Sequence, residues 1–257
     1  MNLFVFDIET VPDVESGRRI FGLDGLSDND TVKAMQHHRS QQTGGSDFLP
    51  LHLHKIVAIS VLLKQADRFK VWTLGDIESD EKDQVQRFFN GIDQYQPTLV
   101  SWNGGGFDLP VLHYRALLHK VDARQYWEMG EEDRNYKWDN YINRFHWKHI
   151  DLMDVLAGFQ PRASAKLDQI ATMLGFPGKM GMDGSKVSDN YLAGDLAGIR
   201  DYCETDVLNT YLVYLRFELM RGNLDEKRYE DHCAEVRAFL EAENKPHFQE
   251  FLQAWAS

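Results

Sequence analysis

Cysteine is scarce: Cys203 and Cys233 are the only two among 257 residues. Two thiols make neither a disulfide framework nor a zinc-ligand pattern, so a reducing cytoplasm is the expected compartment. Long apolar runs are missing as well. None approaches the ~20 residues that cross a bilayer, and no membrane is expected among the partners. The first residues carry neither a basic stretch nor a small-residue cleavage site, which removes a secretory signal from consideration. Positive charge is in deficit, with 28 Lys and Arg against 40 Asp and Glu and a formal net charge of −12. That balance disfavours tight, sequence-blind binding to nucleic acid, which needs a basic face. It leaves room for a site that grips a few nucleotides at a chain end, and for acids that a bound cation neutralises. No internal repeat or low-complexity tract is visible.

What is present is enough chain for one large domain with a substantial core. Leu3 to Phe6 is an apolar run of β-formers, expected as a strand buried on both faces. The stretch from Val11 to Pro50 lacks a clear strand and reads as an insertion, with one short helix near Thr31 to Gln41 and a loop at Thr43–Ser46. The pair His52/His54 reads as a strand-end feature rather than a metal site, since no acidic or Cys partner stands nearby. Lys55–Lys64 and Phe69–Leu74, separated by the polar turn Gln65–Arg68, predict an antiparallel hairpin. An amphipathic helix over Asp80–Tyr95 follows, then a strand at Thr98–Trp102 and a helix over Phe107–His119. Asp122 to Arg144 reads as irregular, and residues 122–147 as a second insertion rich in aromatics: Tyr126, Trp127, Tyr136, Trp138, Tyr141 and Trp147. A last strand is expected at Phe145–Ile150, then helices at Asp151–Gly158 and Ser164–Leu174, and a Gly-, Lys- and Met-rich loop at Gly175–Ser188. A long helix over Leu192–Arg221 and two C-terminal helices split near Asn244–Pro246 complete the chain. This order predicts a mixed sheet with helices on its faces and the first strand near the centre.

Asp7 and Glu9 follow the first apolar run at spacing two, which puts both side chains on one face of the strand. Two carboxylates held side by side repel each other unless a cation sits between them. A hard divalent ion with oxygen ligands suits that need, although a merely solvated acidic strand end fits the spacing equally well. Three more acidic stretches stand out. In Ser101–Asp108 a strand ends, three glycines allow close backbone approach, and Asp108 opens a helix. In Asp201–Asp206, Tyr202 and Asp206 stand four apart and share a helix face. In His149–Asp154, Asp151 reads at least as well as a helix cap.

Together these stretches resemble the DEDD superfamily of 3′–5′ exonucleases on a ribonuclease H-like fold. The chain is similar to its Tyr-bearing subgroup, and within it to stand-alone proteins like the exonuclease domain of family-B DNA polymerases. The family's first motif, F-D-I-E-T, is present as Phe6–Thr10; the second, N-x-x-x-F-D, as Asn103–Asp108; the third, Y-x-x-x-D, as Tyr202–Asp206. The flanks of the last two, and the loop Gly175–Gly184, also look like that group. A His-bearing subgroup would need His five residues before the last Asp, where this chain has Asp201. The likeness runs over roughly residues 1 to 220. It implies an α/β fold with a mixed five-stranded sheet and helices on both faces, a domain over 1–221 with insertions at about 11–50 and 122–147, and a C-terminal helical extension over 222–257.

The resemblance further implies a metal-dependent 3′–5′ exonuclease that releases nucleoside 5′-monophosphates. Asp7, Glu9, Asp108 and Asp206 would hold two Mg²⁺ or Mn²⁺ ions, with Asp7 shared. Tyr202 would orient the attacking water with Glu9; a neutral phenol is a poor base near pH 7. Single-stranded nucleic acid presented at its 3′ end is the expected partner, DNA before RNA. Ile8, Thr10, Asn103, Phe107 and Lys179 are candidate substrate contacts, while the insertion aromatics fit a packed segment better than a strand path. With no polymerase following Ser257, the chain is expected to work alone or with an unidentified protein partner. Two other readings stay open: an exoribonuclease on the same site, and a catalytically silent nucleic-acid-binding module.

Overall fold

The computed structural model describes residues 2–66, 68–182 and 184–256. In chain order its elements are β1 (Leu3–Pro12), α1 (Val14–Phe21), α2 (Asp28–Thr43), β2 (His54–Lys64), β3 (Phe69–Thr73), α3 (Glu81–Tyr95), β4 (Thr98–Ser101) and α4 (Asp108–His119). Then come β5 (His149–Asp151), α5 (Leu152–Leu156), α6 (Leu167–Met173), α7 (Val187–Leu192), α8 (Leu196–Met220), α9 (Glu226–Glu243) and α10 (Pro246–Ala256). The five strands form one sheet in the order β3-β2-β1-β4-β5. β1 pairs antiparallel with β2 and parallel with β4, and β4 pairs parallel with β5. The sheet is therefore mixed, with the first strand at its centre.

Alternation along β1 divides the molecule into two layers. Leu3 and Val5 join a core with Leu62, Val71, Val100, the inner face of α8, and Val236, Leu240, Phe248 and Phe251 from the two C-terminal helices. Phe4, Phe6 and Ile8 join the opposite core, with Val85, Phe88 and Ile92 of α3 and Leu109 and Leu112 of α4. The same alternation sends Asp7 and Glu9 toward the α8 side. α8 is buried along most of its length because the sheet covers one side and α6, α9 and α10 cover the other.

β1 runs ten residues but β4 only four, so the parallel pairing stops at Val5↔Val100. Beyond that point, among the described residues, β1 has no strand beside it on one edge. A register irregularity against β2 between Glu9 and Thr10 bends it further. The result is a strand edge without a β partner at the carboxyl end of the central strand.

Several boundaries differ from expectation. The strand expected over Phe145–Ile150 is confined to His149–Asp151. Side chains upstream satisfy the backbone instead: Asn143 Oδ1 accepts from the Phe145 N–H, and Asp139 Oδ1 from the Trp147 N–H. The segment Val11–Pro50 adds two residues to β1 and holds two helices. α1, eight residues long, is capped by Asp13 and ended by Gly22 at φ 64°; the helix expected at Thr31–Gln41 lies within the longer α2. The long helix starts at Leu196, because Gly194 at φ 82° separates it from α7. In the hairpin turn Gln65–Arg68, Asp67 lies outside the described residues, as does Asp183 in the loop Gly175–Ser188; the Gln65 N–H donates to the Arg68 carbonyl at 2.8 Å.

Of the aromatics in 122–147, Tyr126, Tyr136 and Tyr141 are buried, whereas Trp127, Trp138 and Trp147 stay exposed. The Tyr141 hydroxyl donates to the Pro97 carbonyl at 2.7 Å and Lys148 Nζ to the Gln96 carbonyl at 3.0 Å. Both partners precede β4, so this segment closes the edge of the sheet opposite Asp7 and Glu9.

Candidate active site

Where β4 ends, the backbone of β1 needs a new partner, and Asp108 supplies it. Its Oδ1 accepts from the Ile8 N–H at 3.1 Å, replacing a ladder bond with a side chain from the first residue of α4. The turn that delivers Asp108 is held from behind. Asp151 accepts from the N–H groups of Asn103 and Gly105, both at 2.9 Å, and Asn103 adopts φ 64°. Within the turn, a Cβ at Gly104 would collide with the Ser101 side chain, and one at Gly106 would stand 2.5 Å from Asn103 Oδ1. Gly104 is thus required for space, whereas at Gly106 only the tip of the Asn103 side chain would have to move.

α8 brings the other two groups. Tyr202 is buried and hydrogen-bonds Asp206 one turn on. Cys203, between them, points its thiol at Asp7, with Sγ 3.4 Å from the Asp7 carbonyl and 3.6 Å from Asp7 Oδ2. One oxygen each of Asp7 and Glu9 and the Cys203 sulfur lie within 4.8 Å of one another.

The acids also act on one another through their charges. Burial pushes the Asp7 carboxyl well above its ordinary range, and the charges of Asp108, Glu9 and Asp206 push it further. Glu9 is raised by burial, then by Asp206 and Asp108, with Lys179 opposing. Asp108 is raised to about 7, mainly by burial. Burial, then the charges of Asp206, Glu9 and Asp7, push Tyr202 upward, so its phenol stays protonated. Asp7, Glu9, Asp108, Tyr202 and Asp206 therefore converge from one strand and two helices. Four mutually repelling carboxylates in a poorly solvated pocket fit the oxygen donor set of hard divalent cations; Cys203 adds a soft donor beside them.

The candidate substrate contacts fall unevenly around this pocket. Ile8 packs its side chain in the core and gives its N–H to Asp108. The Thr10 hydroxyl lies 2.9 Å from His54 Nδ1, whose ring meets Phe107 edge-on at 5.4 Å. Asn103 forms the turn, and Phe107 is half-buried beside Asp108. Lys179 is exposed, with its charge near enough to Glu9 to act on it. Its loop is pinned by the buried Asn209 of α8, which accepts from the Gly178 N–H at 3.1 Å and donates to the Gly178 carbonyl at 2.8 Å. Residue spacing held no sign of Cys203, of Asn209, or of Asp151 bracing the turn, although the capping of α5 expected for Asp151 is present.

Comparison with known proteins bears on this arrangement. A family model described as "Predicted 3'-5' exonuclease related to the exonuclease domain of PolB" matches residues 46–255. The matched stretch holds Asn103–Asp108 and Tyr202–Asp206 and begins after Asp7 and Glu9. The catalytic polypeptide of DNA polymerase epsilon from Saccharomyces cerevisiae is 26% identical over 147 residues, covering 54% of this chain and 6% of that protein. The chain thus spans a small part of the curated relative it matches. The family B DNA polymerase from the archaeon Pyrobaculum calidifontis superposes with a TM-score of 0.50 at 18% identity, over 86% of this chain and 24% of that one. That likeness shows the fold, the α/β, ribonuclease H-like arrangement of such exonuclease domains.

Proposed function

Since this chain belongs to the predicted 3′–5′ exonucleases related to the exonuclease domain of PolB, we propose that it shortens single-stranded DNA from the 3′ end by two-metal hydrolysis. The observation that carries this reading is the convergence of four acids and a tyrosine from stretches two hundred positions apart, with Asp7, Glu9 and Tyr202 all pushed up by the acids around them. Relief of that repulsion is what a cation pair offers.

Asp7 feels all three other acids and is the group to share between two sites. Glu9 and Asp206 complete one site and Asp108 the other. Bound there, two Mg²⁺ or Mn²⁺ ions would lower the pKa of an attacking water and stabilise the leaving 3′-oxygen. The chain's own residues do the positioning. Tyr202, protonated and tied to Asp206, orients the water together with Glu9. Ile8 has given its N–H to Asp108, so the carbonyl of Ile8 is its remaining backbone group for the terminal nucleotide. Thr10, Asn103 and Phe107 line the approach, and Lys179 on its pinned loop meets a phosphate. Water adds to phosphorus, the P–O3′ bond breaks, and a proton goes to the 3′-oxygen, leaving a nucleoside 5′-monophosphate. DNA is favoured over RNA because the curated relative belongs to a DNA polymerase.

The test is digestion of matched 5′-labelled DNA and RNA strands with Mg²⁺ or Mn²⁺. A one-nucleotide ladder shortening from the 3′ side is expected, faster on DNA. Asp206→Ala should abolish it, and Tyr202→Phe should slow it about a hundredfold through misplaced water while retaining the ions. No shortening of either strand with either ion would leave a silent binding module as the better description.

A further inference from the structure

We propose that Phe48, in the segment between α2 and β2, is a stacking platform for the bases of an incoming single strand. The proposal deepens the exonuclease reading and rests on it for the identity of the ligand. A lone exposed phenylalanine calls for no explanation. This one is different because it is built into place and is linked, through Phe107 and through His54 with Thr10, to the residues next to Asp108 and Glu9.

Its ring is 55% exposed yet packs on two others, with centroids 5.1 Å from His54 and 6.1 Å from Phe107. His54 and Phe107 in turn meet edge-on at 5.4 Å. The three rings form one layer whose outermost member is Phe48. The layer is anchored to the site at two points: Phe107 immediately precedes Asp108, and His54 lies 2.9 Å from the hydroxyl of Thr10, which follows Glu9. His54 is fixed on its other side by the Leu49 carbonyl at 3.1 Å, and Arg39 Nε donates to the Phe48 carbonyl at 3.0 Å. Both contacts hold the backbone around Phe48, so the ring is presented at low entropic cost. Unstacked bases bind aromatic faces irrespective of sequence. The only ligand of the proposed reaction with bare π-faces is the strand itself. The terminal nucleotide belongs to the acid pocket; Phe48, on the outer side of Phe107, suits a base further along.

The test compares wild type with Phe48→Ala, Phe48→Leu and Phe48→Trp, on two substrates with Mg²⁺: a single-stranded oligodeoxynucleotide, and the p-nitrophenyl ester of thymidine 5′-monophosphate, which has no base beyond the first. Binding of a fluorescein-labelled oligodeoxynucleotide in Ca²⁺ is measured alongside. Phe48→Ala and Phe48→Leu are expected to raise KM and Kd for the oligomer about tenfold, with Phe48→Trp near wild type and ester hydrolysis unchanged in all three. Equal KM and Kd for wild type and Phe48→Ala would overturn the platform and leave the exonuclease standing. Phe48-dependent binding without turnover by the wild type would keep the platform and strike the catalytic reading. A fall in ester hydrolysis matching the fall on the oligomer would show that Phe48 merely supports the fold, and would also overturn it.

Discussion

Asp7, half-buried, stands among three other acids of which Glu9 and Asp108 are buried, and that arrangement costs stability whenever no cation is bound. The sign follows from the shifts. Asp108 is raised to about 7, and Asp7 and Glu9 also lie above their ordinary values, so the folded state holds protons that the unfolded chain, titrating near 4, releases. In chelator, stability should therefore rise as pH falls from about 8 to about 6 and decline again as pH climbs through 7. Mg²⁺ or Mn²⁺ should raise the melting temperature strongly at about pH 8 and much less at about pH 6. Asp7→Asn, which removes the carboxylate that Asp108, Glu9 and Asp206 all act on, should raise the melting temperature of the chelated protein and blunt both trends. Differential scanning fluorimetry across pH checks this; a melting curve flat in pH and indifferent to either ion would mean that the carboxylates are not coupled. At this scale the pairs Asp7/Glu9 and Tyr202/Asp206 were legible in the sequence because strand and helix periods decide which neighbours share a face. That Asp108 joins them was implied by resemblance alone, and its physical cause, an orphaned Ile8 N–H, exists only once β4 has stopped short. Cys203 was not legible, because a thiol reaching Asp7 across 196 positions leaves no local pattern.

At the scale of the elements, the site depends on a mismatch between two strands and on the turn that fills it. β1 continues where β4 ends, and the chain turns back through Asn103–Phe107 to place Asp108 on the exposed strand edge. The turn fits because Gly104 carries no side chain against Ser101. Gly104→Ala should force the turn outward and draw Asp108 from Ile8, lowering kcat at least tenfold while costing about 1–3 kcal/mol of stability, as overpacking does. Gly158→Ala, where a Cβ meets nothing within 4 Å but φ is 59°, serves as a comparison that strains the backbone without touching the site. Steady-state kinetics beside urea unfolding would separate the two; equal kcat for wild type and Gly104→Ala would show that the turn does not set the position of Asp108. Most elements were readable because β2 is a continuous run of β-formers and α3 carries an apolar stripe at the 3.6-residue period. Those that were misread are places where side chains override the period. Asn143 and Asp139 satisfy amides that a longer β5 would have paired, and α1 has only eight residues between its caps.

For the molecule as a whole, the question is what keeps α8 in register with the sheet, since it carries Tyr202 and Asp206. Glu204, buried on α8, answers on both sides. One oxygen accepts from the Thr73 N–H at 3.0 Å and the Thr73 hydroxyl at 3.2 Å, tying the helix to β3. The other accepts from Lys245 Nζ at 3.0 Å and lies 2.9 Å from His247 Nε2, tying it to the start of α10. The opposite nitrogen of His247 stands 3.1 Å from Asp201. Burial alone would raise Glu204 and lower His247, but these partners reverse both shifts, holding Glu204 low and His247 high. The His247 contribution is complete below its unfolded value near 6.5 and is lost as pH rises through its raised folded value. That of Glu204 is complete above about 4.5 and is lost as pH falls through its lowered value. The charged pair is thus intact only in the window between. His247→Gln should cost about 2 kcal/mol near pH 6 and progressively less toward pH 9, measured as the difference from wild type in urea unfolding so that the acid pocket cancels. Activity should fall with it only if the loss lets α8 shift against β1, whereas a pH-independent cost would mean that His247 acts by packing on Phe248 and not by its charge.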